Sequence, residues 1–387
     1  KLGDITEKVV RKDANSNADV RMISQGNGFI LQSDKYSREN AGQSLKKYTL
    51  LKRDEFAYNH GASKVKPYGV CYRLCESDEA RVPYVYHTFK LIDGDSFFWN
   101  YSLNTSCMDR QLKKMVSSGA RMDGLLNIGY DAYMSVDIHV PSLPEQQKIA
   151  EFLSTIDTVI EKQKETVSAW EERKKGVMQK LFNQEVRFKA DDGSDFPEWA
   201  EKKIDDVATC FAGATPSTKI PEYWEEGTIR WMSSGEVNNG QIHDTEKRIS
   251  QLGFDKCSTK MVKPNSVVMA LAGQGKTRGM VAITRVPLCT NQSLCAIETN
   301  DDICDDYLYQ YLQTQYNNLR LISSGDGTRG GLNLKLVGGY VVIVPCLAEQ
   351  QKIADCLSSL DEVIEKQKAT LAAWEELKKG LLQQMFV

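Results

Sequence analysis

The sequence predicts an α+β fold in which two globular mixed α/β domains are separated by two long helices, which form an antiparallel coiled coil with a pseudo-two-fold internal repeat. Three observations support this prediction: a long duplicated segment, a heptad pattern of apolar residues within each copy, and short runs rich in valine and isoleucine between the copies. With 387 residues, of which 41% are hydrophobic, the chain is long enough for two or three domains that each bury a core.

The duplicated segment comprises residues 141–182 and 345–386, which are identical at 27 of 42 positions without a gap. The offset between the copies is 204 residues (345 − 141), which is far too long for a solenoid repeat. Pro141 and Pro144 open the first copy, and the rest of that copy contains no proline, which is typical of a helix start followed by an unbroken helix. The period therefore indicates a domain-plus-helix unit that occurs twice.

Within each copy, apolar residues follow a 4-3-4-3 spacing, which is the seam of a coiled coil rather than the wider face of a globular helix. Two matched seams in one chain pack most simply on each other as an antiparallel pair. Gln163 and Lys174 in the first seam, and Gln367 and Lys378 in the second, fill the gaps in the apolar spacing. We expect the two glutamines to fix the register near the pseudo-dyad. The two seams are Ile149, Leu153, Ile156, Ile160, Gln163, Val167, Trp170, Lys174, Val177 and Leu181, and Ile353, Leu357, Leu360, Ile364, Gln367, Leu371, Trp374, Lys378, Leu381 and Met385.

The segments between the helices read as mixed domains. Strand-like runs occupy residues 266–269, 279–285 and 340–344, and a helical spacing of tyrosine and leucine runs through residues 304–319. The predicted order is domain, helix, domain, helix, with boundaries at residues 1–140, 141–182, 183–344 and 345–387.

The start of the first domain matches a point inside the second half of the chain. The run that begins Lys1-Leu-Gly-Asp corresponds to the run Lys203-Ile-Asp-Asp, and a Phe-Pro-Glu-Trp stretch at residues 196–199 precedes only the second run. We therefore expect a few residues to precede Lys1 in the natural protein.

The charge balance excludes a globally basic nucleic-acid-binding coat, because 49 basic and 52 acidic residues leave a net charge of −3. Two stretches are nevertheless locally basic. Residues 46–73 hold seven cations against Asp54 and Glu55, and residues 256–297 hold six cations and no acid. Clustered cations of this kind either neutralise phosphates or form an ordinary solvated face.

The Gly-rich run at residues 270–277 satisfies a relaxed phosphate-loop pattern, in which Ala270 stands for the first glycine. A phosphate loop must lead into a helix whose N-terminus faces the phosphate. The residues after Thr277 read as a strand instead, so we predict a turn that either presents Lys276 and Arg278 to a DNA backbone or is purely structural.

Several motifs together resemble the specificity subunits of type I restriction–modification enzymes, over essentially the whole chain. In the helices these are Glu-Gln-Gln-Lys-Ile-Ala at residues 145–150 and 349–354. In the second domain they are Gly-Ala-Thr-Pro-Ser at 213–217, Tyr-Trp at 223–224, Gly-Thr-Ile-Arg-Trp at 227–231 and Thr-Asn-Gln at 290–292. Ala214 departs slightly from the usual motif, and the first domain lacks the Thr-Pro and Tyr-Trp motifs.

This resemblance implies a DNA-binding subunit without catalytic activity. Each globular domain would be a target recognition domain that reads one half of a bipartite double-stranded DNA site, and the helices would set the unread spacer. The helices would also dock two methyltransferase subunits, and motor–nuclease subunits would join the assembled complex. S-adenosylmethionine, ATP and Mg²⁺ would belong to those partners, so we expect no cofactor on this chain, a cytoplasmic location and no membrane contact.

Two other functions stay open from the residues alone. The first is a non-catalytic two-domain adaptor that binds protein or ligand rather than DNA. The second, an ATP-dependent enzyme, rests only on the Gly-rich run. The histidines His60, His87, His139 and His243 lack the spacing of metal ligands, so we expect no metal site.

The candidate residues fall into two groups, DNA contacts and helical docking or spacer positions. Thr-Asn-Gln could read adenine through Asn291 and Gln292, but we favour a structural role for it, because the motif recurs in members of differing specificity. The DNA candidates are Lys46, Lys47, Lys52, Arg53, Lys64, Lys66, Ser118, Arg121, Thr215, Ser217, Lys219, Lys276, Arg278, Thr328 and Arg329. The docking and spacer candidates are Gln147, Ile149, Leu153, Gln163, Trp170, Gln351, Ile353, Leu357, Gln367 and Trp374.

Overall fold

The computed structural model describes residues 1–13, 16–24, 26–35, 42–61, 66–116, 126–273, 275–323 and 331–386. The chain divides into two compact units. Unit 1 comprises Lys1–Lys164 with Ala369–Val387, and unit 2 comprises Glu165–Lys368. Each unit therefore contains one mixed domain together with one part of each long helix.

The described residues of unit 1 form a four-stranded antiparallel sheet in the order β1-β8-β5-β6 and two antiparallel strand pairs, β2-β3 and β4-β7. The strands are β1 Thr6–Lys8, β2 Arg21–Ser24, β3 Gly28–Leu31, β4 Thr49–Lys52, β5 Phe56–Asn59, β6 Val70–Arg73, β7 Glu79–Val82 and β8 His87–Leu91. The helices are α1 Gln32–Lys35, α2 Ser96–Ser102, α3 Ser106–Met115, α4 Tyr130–Met134 and the long α5 Leu143–Phe182, with 3₁₀ turns at Leu2–Ile5 and Gly42–Lys47.

The described residues of unit 2 form three sheets, ordered β10-β18-β15-β16-β12, β13-β11-β17-β14 and β19-β9. The strands are β9 Ala200–Lys203, β10 Ala208–Ala212, β11 Ile229–Met232, β12 Gln241–Ile242, β13 Lys247–Ile249, β14 Met261–Val262, β15 Val267–Ala270, β16 Val281–Thr284, β17 Leu288–Thr290, β18 Leu294–Thr299 and β19 Val341–Val344. The helices are α6 Ile204–Val207, α7 Gln251–Asp255, α8 Asp305–Thr314, α9 Tyr316–Ile322, α10 Leu334–Gly338 and the long α11 Leu347–Met385, with 3₁₀ turns at Pro221–Tyr223 and Ser234–Asn239.

The two domains share a common core, although their sequences differ. The order β1-β8-β5-β6 of unit 1 corresponds to β10-β18-β15-β16 of unit 2. Lys1 and Lys203 each precede a short helical turn that is closed by a capping box, with Asp4 and Asp206 at the third position. The internal repeat therefore extends from the long helices into the domains.

The long helices are part of each domain's hydrophobic core. In unit 1, Ala150 of α5 is buried in the core, and the ring of Phe386 lies 5.4 Å from that of Phe98. In unit 2, Leu181 of α5 and Leu357 of α11 are buried against the sheet and α8. Burial of a leucine of this kind contributes about 2 kcal/mol, so each domain and its helical segments form one packed body.

In each unit the two helical segments run antiparallel. Asp157 of α5 forms an ion pair with Lys378 of α11 in unit 1 (2.5 Å), and Lys174 of α5 forms one with Asp361 of α11 in unit 2 (2.6 Å). The two ion pairs are the same pair of repeat positions, because 361 − 157 and 378 − 174 both equal the repeat offset of 204. The predicted α+β fold with two long antiparallel helices is confirmed.

Candidate nucleic-acid interface and helical surface

The motif residues of unit 2 form one cluster at the edge of its two larger sheets. Gly213 lies so close to Thr290 that a Cβ atom there would be 1.9 Å from the Thr290 carbonyl oxygen, which explains the glycine. The hydroxyl of Thr215 donates to the side-chain oxygen of Gln292 (2.6 Å), and Trp231 Nε1 donates to the carbonyl of residue 214 (3.0 Å). The Thr-Pro and Thr-Asn-Gln motifs thus hold each other in place.

The same cluster shapes the exposed loop that carries three of the DNA candidates. Thr215, Ser217 and Lys219 are all exposed. Trp224 Nε1 donates to the Ser217 carbonyl (3.2 Å), and the Trp224 ring meets Trp231 edge-on with centroids 5.1 Å apart. The two indole side chains therefore hold the loop in place, and the polar side chains of the loop remain exposed to solvent.

Asn291 has a local structural role. Its side-chain oxygen accepts from the Ser293 N–H (3.1 Å), and its own N–H donates to the Met232 carbonyl (3.1 Å). The first bond closes the turn between β17 and β18, and the second ties this turn to the end of β11. They agree with the structural interpretation of the Thr-Asn-Gln motif.

The Gly-rich run forms the connection between strands β15 and β16, which pair antiparallel. A strand follows the run, as expected, so the helix that a phosphate loop requires does not follow it. Helix α9 holds the connection, because Tyr316 donates to the Lys276 carbonyl (2.7 Å) and Arg320 to the Gly275 carbonyl (2.6 Å). The side chain of Lys276 is exposed, and Arg278 is partly buried.

The basic candidates of unit 1 divide into exposed lysines and side chains with partners inside the unit. Lys46, Lys47 and Lys52 are exposed. Arg53 instead donates to Asp78 (2.9 Å) and to the carbonyl of residue 75, and Lys66 donates to the carbonyl of residue 104 (3.2 Å). Arg53 and Lys66 therefore hold loops of the domain together.

Five DNA candidates lie outside the described residues. The candidates are Lys64, Ser118, Arg121, Thr328 and Arg329.

Unit 1 also contains a cationic groove that was not predicted from the sequence. Its volume is about 450 Å³, and the described residues that line it include no acid. Lys8 Nζ lies 4.4 Å above the ring centroid of Tyr130, and Lys47 Nζ lies 6.0 Å from that of Tyr84, whose side chain is 56% exposed. Lys12 completes the lining. In the sequence, the three cations within residues 8–12 could have indicated this groove.

Counted along the chain without gaps, the groove of unit 1 corresponds to the motif cluster of unit 2. The pairing of β1 with β8 begins at Thr6 opposite Leu91, and that of β10 with β18 at Ala208 opposite Thr299. Counting from these matched pairs, Lys12 corresponds to position 214 and Tyr84 to position 292. The first domain therefore has lysine and tyrosine where the second has the Thr-Pro and Thr-Asn-Gln motifs.

Two stacked histidines support one wall of this groove. His60 and His87 have ring centroids 4.9 Å apart, and His60 lies within hydrogen-bond distance of the carbonyls of residues 126 and 85 (2.8 and 2.9 Å). His87 contacts the Ile128 carbonyl through Nε2 (2.8 Å). Burial lowers the pKa of His87 below its usual range, with a smaller opposing effect of the bond to Ile128. The contacts of the two histidines with the carbonyls of residues 126 and 128 thus hold this segment in place.

The docking and spacer candidates also divide by exposure. Leu153, Ile353 and Leu357 are buried seam residues. Gln147 and Gln351 are exposed, and the rest are partly buried: Ile149, Gln163, Trp170, Gln367 and Trp374. Only the exposed or partly buried positions can contact a partner directly.

Four helix residues that were not among the candidates connect each domain to its helices. Gln146 and Gln350 accept the N–H at the start of α2 and of α8, and Asp157 and Asp361 accept a side-chain donor from the same two helices. Each pair consists of the same residue type at the same position of the two repeat copies, and this identity could have indicated a shared role from the sequence.

The described residues provide neither a membrane span nor a metal site. Each helix in these ranges is too short or too polar to cross a lipid bilayer. Among the same residues, no three histidine, cysteine or acidic side chains come together as metal ligands.

The sequence model of the family described as "Type I restriction modification DNA specificity domain" matches residues 94–168 and 197–373, well over half of the chain. The chain belongs to this family. Each matched range covers part of one mixed domain and part of the long helix that follows it.

Individual relatives of this specificity-domain family are known. The chain is 31% identical over 211 residues to the type I restriction enzyme MjaIX specificity subunit of Methanocaldococcus jannaschii, which is 53% of this chain and 48% of that protein. It is 25% identical over 166 residues to the EcoR124I/EcoR124II specificity subunit of Escherichia coli, at 42% and 41% coverage. The chain thus spans about half the length, or less, of these curated relatives.

Two solved structures share the fold. The S subunit of a type I restriction–modification system from M. genitalium matches with a TM-score of 0.58 and 15% identity, covering 100% of this chain and 95% of that one. A chain from a structure on complex assembly and conformational transition of the type I R-M system matches with a TM-score of 0.55 and 17% identity, at 100% and 96% coverage. At these identities the likeness concerns the fold.

Proposed function

We propose that this chain is the DNA-reading, non-catalytic specificity subunit of a type I restriction–modification complex. The observation that carries the proposal is the repeated unit: a mixed domain with an exposed polar or cationic surface, packed on an antiparallel pair of helical segments. Family membership supplies the class of function, and the duplication supplies the expectation of two half-sites.

Each recognition domain, at residues 1–140 and 183–344, reads one half of a bipartite duplex site. In the first domain the groove of Lys8, Lys12 and Lys47 suits the phosphate backbone, since three cations without an acid attract polyanions. In the second domain Lys219 and Lys276 stand on exposed loops. Phosphate contacts set the register on DNA, and other side chains then read base edges.

The helices, at residues 141–182 and 345–387, act as the ruler between the half-sites. Each long helix of about 40 residues extends about 60 Å, and an antiparallel pair of such helices holds a distance that a flexible linker cannot hold. Exposed positions such as Gln147 and Gln351 are available to dock two methyltransferase subunits, and motor–nuclease subunits join that assembly. S-adenosylmethionine, ATP and Mg²⁺ are bound by those partners, and the complex acts on cytoplasmic DNA.

Methylation mapping tests this proposal directly. The chain is co-expressed with its methyltransferase subunit in a host that lacks adenine methylation, and N6-methyladenine is mapped across the genome. We expect one bipartite motif with two short half-sites around a fixed unread gap. A stable complex that leaves the DNA unmethylated would instead favour the adaptor function, in which the domains bind protein or ligand.

A Lys276→Ala variant separates DNA reading from ATP binding. Weaker DNA binding, with no nucleotide binding by either variant or parent, supports the DNA-backbone role of this loop. Nucleotide binding by the parent that disappears in the variant would support the ATP-dependent enzyme, which the strand after Lys276 disfavours.

A further inference from the structure

Each recognition domain is attached to its long helices at two polar points, which we call the clamp. At the first point, Gln146 Oε1 accepts the N–H of Asp95, the residue that caps helix α2 (3.0 Å). In unit 2, Gln350 Oε1 accepts the N–H of Cys304, the residue that caps helix α8 (2.7 Å). Both glutamines are almost completely buried, at 3% and 0% exposure.

The first point is rigid because each glutamine is fixed at both ends of its amide. Gln146 Nε2 donates to the Pro141 carbonyl and Gln350 Nε2 to the Pro345 carbonyl, both at 2.9 Å. The same side chain therefore ties the start of the long helix to the start of the domain's helix. A buried amide that is bonded through both its oxygen and its nitrogen is held in one orientation.

The second point lies on a carboxylate three helical turns further along. In unit 1, Asp157 Oδ2 accepts from the Tyr101 hydroxyl (2.6 Å), and its Oδ1 accepts from Lys378 (2.5 Å). Eleven residues separate this aspartate from Gln146 (157 − 146), which places both on one helix face about 16 Å apart. One side chain thus joins α5, α11 and the domain.

Unit 2 repeats this arrangement with a different donor. Asp361 Oδ2 accepts from Gln310 Nε2 (2.7 Å), and its Oδ1 accepts from Lys174 (2.6 Å). Gln310 follows Cys304 by six residues, as Tyr101 follows Asp95. The domains have diverged from tyrosine to glutamine at this point, yet the bond to the aspartate is present in both.

We propose that the clamp is a positioning device, which fixes each recognition domain at one angle on its helices and so limits the DNA spacer lengths that the chain accepts. Without the second point, the angle of the domain's helix is set only by the first point and by the apolar contacts of the shared core, which are not directional. A rotation of roughly 10° moves a surface about 20 Å away by about 3.5 Å, which is one base-pair step. This inference rests on the proposed function, because it assumes two half-sites around a spacer.

The substitutions Tyr101→Phe and Gln310→Leu each remove the domain's donor and leave the lysine–aspartate ion pair intact. The matched controls are Tyr58→Phe, whose hydroxyl donates to the Tyr68 carbonyl inside unit 1, and Tyr307→Phe, whose hydroxyl donates to the Ile343 carbonyl inside unit 2. Each control removes a buried hydroxyl bond without touching the clamp. Thermal unfolding of all four variants measures the common loss of stability.

The readout is methylation by the complete complex on a plasmid library that holds the two half-sites at the native spacer and at spacers one base pair shorter and longer. For the two clamp variants we expect unchanged half-site sequences and a roughly fivefold higher ratio of altered-spacer to native-spacer methylation, the factor that about 1 kcal/mol supplies. The controls should keep the parental ratio, even where their melting temperature falls.

Two outcomes would overturn the inference, and they can be told apart. If the parent shows a bipartite motif and the clamp variants keep its spacer ratio while losing stability like the controls, the clamp serves stability alone. If the parent complex shows no bipartite motif, the proposed function fails and the inference fails with it.

Discussion

Arg187 donates two hydrogen bonds to Glu349, from Nε to Oε1 (3.0 Å) and from Nη2 to Oε2 (2.8 Å). The side chain of Glu349 is completely buried. Trp199 Nε1 donates to the same carboxylate (2.8 Å). The segment between the first long helix and strand β9 thus packs over the first turn of α11. The repeat-related residue in unit 1, Glu145, is exposed.

Because Glu145 occupies the same repeat position as Glu349 but is exposed, it is an internal control for a stability prediction. Glu349→Gln removes the carboxylate to which Arg187 and Trp199 donate, and Arg187 itself stays 22% exposed, so we expect unfolding to become easier by about 1.5–2 kcal/mol. Glu145→Gln at the equivalent exposed position should change stability by less than about 0.5 kcal/mol. Urea denaturation of both variants measures the two values, and equal effects would refute the structural role of Glu349.

The ion pair between Lys174 and Asp361 tests the antiparallel register of the helices. Both side chains are largely buried, at 10% and 17% exposure. We expect Lys174→Asp or Asp361→Lys alone to destabilise unit 2 by about 3 kcal/mol, because each leaves two like charges in contact. The double variant should recover part of that loss in thermal unfolding.

The exposed pair Lys175 and Glu172, within one helix, is the control for that cycle. Reversing its two charges should leave the melting temperature nearly unchanged. A Lys174/Asp361 cycle without recovery in the double variant would show that these two positions are not adjacent.

The groove of unit 1 predicts a change in the salt dependence of DNA binding. Lys8→Ala, Lys12→Ala and Lys47→Ala should each weaken binding across sequences and reduce the slope of log affinity against log salt concentration by about one unit for each phosphate that the variant no longer neutralises. Lys114→Ala on helix α3, an exposed lysine away from the groove, is the control. Unchanged slopes in all three groove variants would remove the groove from the DNA interface.

His87 predicts how the stability of unit 1 changes with pH. Burial lowers its pKa, so the folded chain binds fewer protons than the unfolded chain just below pH 6.5. Stability from this group is therefore complete above about pH 6.5 and is lost as the pH falls towards the folded pKa. Unfolding of His87→Asn should depend less on pH over this range than that of the parent.

The exposed residue His243 supplies the comparison for the pH series. His243→Asn should keep the parental pH profile of unfolding. If His87→Asn also keeps it, then protonation of His87 does not contribute to the acid sensitivity of the chain.

The sequence alone predicted the features that follow from local pattern. The long helices appear as α5 Leu143–Phe182 and α11 Leu347–Met385, and the strand after the Gly-rich run appears as β16 Val281–Thr284. The single helix expected at residues 304–319 is instead two helices that meet at Gln315. Periodicity indicates a helical run, but a break of one residue is set by tertiary packing.

The candidate site was less predictable, because pairing between distant residues is invisible in the sequence. Arg53 lies in a basic stretch but is held by Asp78, and Arg285 of the second stretch is held by Asp306 (2.6 Å). Conversely, the groove requires Lys47 to approach strand β1, some 40 residues earlier in the chain. Counting charges along the chain therefore included cations that pair with acids inside a domain, and it did not reveal which cations come together in the groove.

A domain exchange tests the central claim most directly. Residues 183–344 are replaced by the second recognition domain of another specificity subunit, and the N6-methyladenine motif of the assembled complex is compared with that of the parent. The proposed function predicts that one half-site changes while the other half-site and the spacer length stay the same. A change in both half-sites, or an unchanged motif, would contradict the assignment of one half-site to each domain.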